Sequence, residues 1–136
     1  MPTRTHQATG PFQVKVAPLE EEKGEGSTLG RYSLDKQYHG DLEAVAKGQM
    51  LTAGTDVKGS AAYVALERVT GTLHGRRGSF ALQHTGTMSA GGQHLQITVV
   101  PDSGSGELAG LTGTLEIRIE GAHHFYDFKY SLPESR

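Results

Sequence analysis

Glu67 and His84 are the side chains in this 136-residue chain best suited by type and setting to do chemistry. Glu67 stands on an alternating stretch with Tyr63, Ala65 and Val69, and His84 on a second one with Phe80 and Leu82. If the Glu67 face turns inward, its carboxylate loses water and its pKa rises, a common preparation for acid–base work. The same carboxylate also serves as structural glue, paired with neighbours of Arg68 or with a tyrosine hydroxyl, since a buried charge needs a partner. His124 lies on a third stripe with Tyr126, Phe128 and Tyr130. Each histidine taken alone reads as a hydrogen-bonded core residue. Taken together, Tyr63, Glu67, His84, His124, Tyr126 and Tyr130 are the candidate ligand-binding residues, one polar spot in an apolar cavity. Their convergence depends on strand register, and no catalytic role is assigned among them.

Other chemistries lack their residues. There is no cysteine, hence no disulfide, thiolate nucleophile or cysteine metal site, and no asparagine to carry a glycan. His123 and His124 are adjacent on a strand and point to opposite faces, so they do not chelate one ion, and no metal or cofactor is expected. The run Ser103-Gly104-Ser105-Gly106 lacks the lysine of a phosphate-binding loop and the spacing of a hydrolase elbow, and reads as a structural turn. Net charge is −2 from 13 basic and 15 acidic residues, which gives no field for nucleic acid or anionic lipid. The aromatic stripe 126–130 therefore reads as core, or as a face toward another subunit, before it reads as a base-stacking platform. No apolar run has the length of a membrane span, and the first residues lack the apolar core of a leader, so a cytoplasmic location is the expectation.

The elements that must position these residues are strands. The chain is 35% hydrophobic with 19 glycines spread without a period, the composition of a tightly turned β protein. Phe12, Val14 and Val16 alternate with polar residues, and Pro18 with the acidic run Glu20-Glu21-Glu22-Lys23 is expected to end that strand in a solvated loop. A second strand spans 29–39, with Tyr32, Leu34 and Tyr38 on one side and Lys36 as the exception on that side. Gly40-Asp41 turns it back into a third, 42–52, whose alanines leave room for a partner or a cavity. The central pair, 61–73 and 79–88, is joined by the loop His74-Gly75-Arg76-Arg77-Gly78. Both faces of 61–73 are partly apolar, which predicts an interior on one side and a loop or another subunit on the other. Gly91-Gly92 makes a further hairpin into 95–99. A glycine-rich connection with one helical turn at 107–109 leads to 112–120 and then to a last strand closed by Pro133.

About eight strands joined by short turns, each with one apolar face, must stack as a sandwich or close on themselves. An all-β fold, a closed antiparallel eight-stranded up-and-down barrel in a single domain spanning 1–136, is the expectation.

Three stretches carry a family resemblance: Tyr63-Val64-Ala65-Leu66-Glu67-Arg68-Val69-Thr70-Gly71, Gly78-Ser79-Phe80-Ala81-Leu82-Gln83-His84-Thr85-Gly86-Thr87, and the segment 99–113 with its Pro101-Asp102-Ser103-Gly104-Ser105-Gly106 core. With the ending His124-Phe125-Tyr126, they resemble the DUF3224 family of uncharacterised bacterial proteins. That family looks like the allene oxide cyclase barrel, so the resemblance implies an eight-stranded antiparallel barrel and, since related barrels assemble, a homo-oligomer. The plant cyclase holds a water with asparagine, which this chain lacks, so none of that site carries over. Two functions follow: a barrel that binds a small, largely apolar molecule, with isomerisation or cyclisation as its chemistry if it is an enzyme, or a filled, non-enzymatic barrel that self-assembles or binds a partner protein.

Overall fold

A computed structural model of the chain describes residues 4–133 and consists of eight antiparallel strands in a closed barrel, each bonded to its sequence neighbours. The strands are β1 Arg4–Lys23, β2 Ser27–Tyr38, β3 Leu42–Thr55, β4 Ala61–Leu73, β5 Arg76–Ser89, β6 Gly92–Val99, β7 Thr112–Glu120 and β8 His123–Leu132. Residues 1–3, part of the stretch read for a leader, lie outside the described residues. No helix among the described residues is long and apolar enough to cross a membrane.

Alternation sets the inside. On β4, Ala65, Glu67, Val69 and Leu73 are buried while Val64, Leu66, Arg68 and Thr70 face out, so the Glu67 face is the interior. The two ends of the barrel differ. At one end the β6–β7 connection folds over the lumen through the 3-10 turn Gly106–Leu108, and Leu108 and Leu111 are each 1% exposed. Phe80 stacks on Phe128 there at 5.7 Å, and Tyr126 meets Tyr38 edge-on at 5.5 Å. This end is packed solid.

The other end stands open because the strands are staggered. β8 pairs with β1 only from Arg4↔Leu132 to Phe12↔His124, and β6 meets β7 at the single registered pair Thr98↔Thr114. Beyond Phe12 the wall of β1 and β2 therefore rises past the point where β8 stops. Inward-directed Val16, Met88, Leu95 and Ile119 stay 45, 42, 47 and 63% exposed there.

Several boundaries differ from the sequence expectation. β1 runs on through Pro18 and the acidic residues to Lys23, paired with β2, instead of ending in a loop. A bulge between Pro18 and Glu20 absorbs the donor that proline lacks, and the edge beyond Phe12 has no β8 neighbour, so the carboxylates project into water. Val14 and Val16 are exposed for the same reason. The five-residue loop at 74–78 shrinks to a two-residue turn at His74-Gly75, with Arg76, Arg77 and Gly78 inside β5.

Candidate functional site

Midway along the barrel, where the solid end gives way to the open one, four side chains meet. Lys36 Nζ donates to Glu67 Oε2 at 2.8 Å, and His84 Nε2 meets the same oxygen at 2.7 Å. The Tyr38 hydroxyl donates to Oε1 at 2.6 Å. Register builds the cluster: Glu67 lies opposite Leu82 on β5 and Gly48 on β3, and His84 lies one step nearer the open end opposite Ala65. A Cβ at Gly48 would sit 2.7 Å from the Glu67 Cα and 2.0 Å from the Leu66 carbonyl oxygen, so only glycine lets β3 approach Glu67 this closely. Lys36 reaches over from β2 with its ammonium 5.5 Å from the Phe12 ring centre and 5.9 Å from that of Tyr38.

Electrostatics runs opposite to the sequence expectation. Burial alone pushes the Glu67 carboxyl up, but the His84 hydrogen bond, the Lys36 charge and the remaining contacts outweigh it and hold the pKa down at about 2. Glu67 is an anion that only accepts, so His84 Nε2 carries the proton of that bond, and a ring with one proton has its lone pair on Nδ1. No group among the described residues pairs with Nδ1. No fully buried side-chain nitrogen or oxygen lacks a partner among them, so Nδ1 borders space that water reaches. Burial first, and the Glu67 charge second, push the Tyr38 hydroxyl well above its ordinary range and raise that of Tyr63 as well.

Above the cluster lies a pocket of about 340 Å3, bordered by Tyr32, Met50, Ala61, Tyr63, Gly86 and Met88 among others. Tyr63 is half-buried, and its ring lies flat over β5, where a Cβ at Gly86 would fall 2.5 Å from its Cε1. Neither the Tyr32 nor the Tyr63 hydroxyl has a hydrogen-bond partner among the described residues. Two phenol donors, with Thr52, thus stand in a mostly apolar mouth.

Of the six residues singled out from sequence, the fold brings Glu67 and His84 into contact and sets Tyr63 just above them. The other three make no hydrogen bond to Glu67 or His84 among the described residues, although the Tyr126 ring packs edge-on against Tyr38. His124 is half-buried against Phe12, with ring centres 5.4 Å apart. The Tyr126 hydroxyl donates to the His39 carbonyl at 2.7 Å and accepts from the Leu42 amide at 2.8 Å, a tie across strand ends. Tyr130 bonds His74 at the solid end. Lys36 and Tyr38 complete the cluster and are absent from the sequence set. Lys36 had a signal, a lysine on the apolar side of its strand, but nothing local named Glu67 as its partner.

The class is thus defined: an eight-stranded antiparallel barrel, solid at one end, with a buried lysine–glutamate–histidine cluster beneath an apolar mouth at the other. The chain belongs to the DUF3224 family, whose model, described as a protein of unknown function, matches residues 8–130. It is similar to a crystal structure of a DUF3224 family protein of unknown function from Shewanella oneidensis MR-1, with 48% identity and a TM-score of 0.91 over 97% of this chain and 100% of that one. A search of curated proteins finds no match.

Proposed function

We propose that the open end of the barrel binds a small, largely apolar molecule. The observation that carries this reading is the uncovered apolar mouth with a pocket of about 340 Å3 seated over a buried cluster in which Glu67 is paired with Lys36 and His84. A barrel kept only for packing gains nothing from leaving inward apolar side chains wet while spending buried charge beneath them. The pocket lies within the range small molecules occupy, and its two phenol hydroxyls supply orientation. Isomerisation or cyclisation is the chemistry this setting favours, because acid–base groups are the reactive side chains gathered there.

The test is fluorescence titration with N-phenyl-1-naphthylamine, a neutral apolar probe. Saturable binding is expected, weakened by about tenfold or more in Gly86→Leu, whose side chain drives the Tyr63 ring into the mouth. Binding that is absent in the wild type, or unchanged in a folded Gly86→Leu, would refute the reading.

The outer wall favours self-association beside ligand binding. Leu51 lies directly opposite Val64 on the outer face, with Leu29 and Leu66 on either side, all roughly half exposed. A second copy packed on this face through a twofold contact covers it. Sedimentation velocity should give a dimer for the wild type and a monomer for Leu51→Asp/Leu66→Asp; a wild type that stays monomeric at 100 μM, on the order of the weakest useful affinity, excludes the contact.

A further inference from the structure

We infer that the occupant of the mouth is a small carbonyl compound with an acidic C–H beside the carbonyl, that His84 Nδ1 takes this proton, and that the Tyr63 hydroxyl holds the oxygen. This rests on the pocket reading above and adds its substrate class.

Three observations support it. First, Glu67 accepts the Nε2 proton at 2.7 Å, which fixes the tautomer and leaves a lone pair on Nδ1 in a residue only 3% exposed. A buried ring nitrogen without a partner among the described residues, beside reachable space, is a base waiting for a proton. Second, Lys36 already balances the Glu67 charge at 2.8 Å, so the resting imidazole need not be a cation to keep the carboxylate paired. When Nδ1 gains a proton, the same carboxylate stabilises the imidazolium. Glu67 is thus a positioning residue. Third, the Tyr63 ring crosses to Gly86, two residues along β5 from His84, and its hydroxyl has no partner among the described residues. A phenol raised in pKa stays protonated and donates to an oxygen on which negative charge grows.

The step balances within the substrate. The C–H bond breaks as an N–H bond forms at Nδ1, the freed pair becomes a carbon–carbon double bond, and the carbonyl pair moves onto oxygen, where Tyr63 donates. The proton then returns from Nδ1 to the same carbon or, in an unsaturated ketone, to the one two atoms further on, which shifts the double bond. Neither oxidant nor co-reactant is needed.

The probe is 2-indanone, apolar and doubly activated next to its carbonyl. Its C–H exchange is followed by proton NMR in D2O, and its binding separately by displacement of N-phenyl-1-naphthylamine. The wild type should displace the naphthylamine and accelerate exchange above buffer. His84→Gln, whose amide can still meet Glu67, should lose about a hundredfold of that exchange and keep displacement. Tyr63→Phe, a change at a half-exposed side chain that does not threaten folding, should lose about tenfold or more. Displacement without exchange above buffer overturns the proton-transfer assignment and leaves the pocket standing. Failure to displace overturns both, and exchange that survives either substitution removes that residue from its role.

Discussion

Glu67→Ala is expected to lower the free energy of unfolding by about 3–5 kcal/mol, the cost of stranding a buried charge by removing its partner. Three donors converge on this carboxylate, and deletion leaves the Lys36 ammonium, 8% exposed, with no counter-charge. The Tyr38 hydroxyl and His84 Nε2–H lose their acceptor at the same moment. The informative comparison replaces the whole cluster: Lys36→Met, Tyr38→Phe, Glu67→Leu and His84→Leu introduced together. Apolar residues of similar volume forgo both the attraction and the desolvation, so this variant should come within about 1 kcal/mol of the wild type or exceed it. Urea unfolding of the three proteins decides the matter. A combined variant as unstable as Glu67→Ala would mean the cluster exists to hold the barrel together, and the case for a site would fall.

Acid should expose the same carboxylate. Its folded pKa is about 2 against an ordinary 4.5, so as pH falls the unfolded chain takes the proton first. A lowered folded pKa means stability that is fully present above about pH 4.5 and is lost progressively down to about 2. For a side chain fully removed from water, that shift corresponds to about 3 kcal/mol. The charged and titratable groups facing Glu67 are Lys36, His84, Tyr38 and Tyr63. Exposed carboxylates act alike in the wild type and in the combined variant, so they cancel in the difference between the two. Urea midpoints measured from pH 6 down to pH 2.5 should therefore fall more steeply for the wild type. Parallel curves would show that Glu67 is not held ionised by its neighbours.

Both expectations concern residues that were partly visible in the linear chain. Glu67 and His84 stand out because each interrupts an apolar alternation, and a charged or titratable group on a core face must be satisfied there. Lys36 gave the same signal on β2, yet 31 residues separate it from its carboxylate, and its approach depends on the register Gly48↔Glu67 and Leu34↔Gly48. Tyr126, Tyr130 and His124 share a stripe with one another, yet none of them bonds to Glu67 among the described residues, because β8 stands four strands away from β4 in the closed sheet. The rise expected for the Glu67 pKa was reversed for a related reason: burial is visible in a pattern, whereas the donors that overcome it arrive from other strands.

Side-chain alternation is a local property. The two-residue period of a pleated strand assigns each residue to one of two faces with no reference to its neighbours, which is why eight strands, most of their turns and the two faces of each strand could be read from order alone, whereas the inward face of β4 could not. Closure, stagger and register are set by pairing between distant segments. The tertiary structure alone decided that β1 runs past Pro18 and beyond its β8 neighbour, and that Lys36, Tyr38 and His84, from different rungs of the sheet, converge on Glu67. A shift of one residue in the pairing of β4 with β3 and β5 would turn Glu67 outward to water, and the candidate site would vanish with every strand still in place.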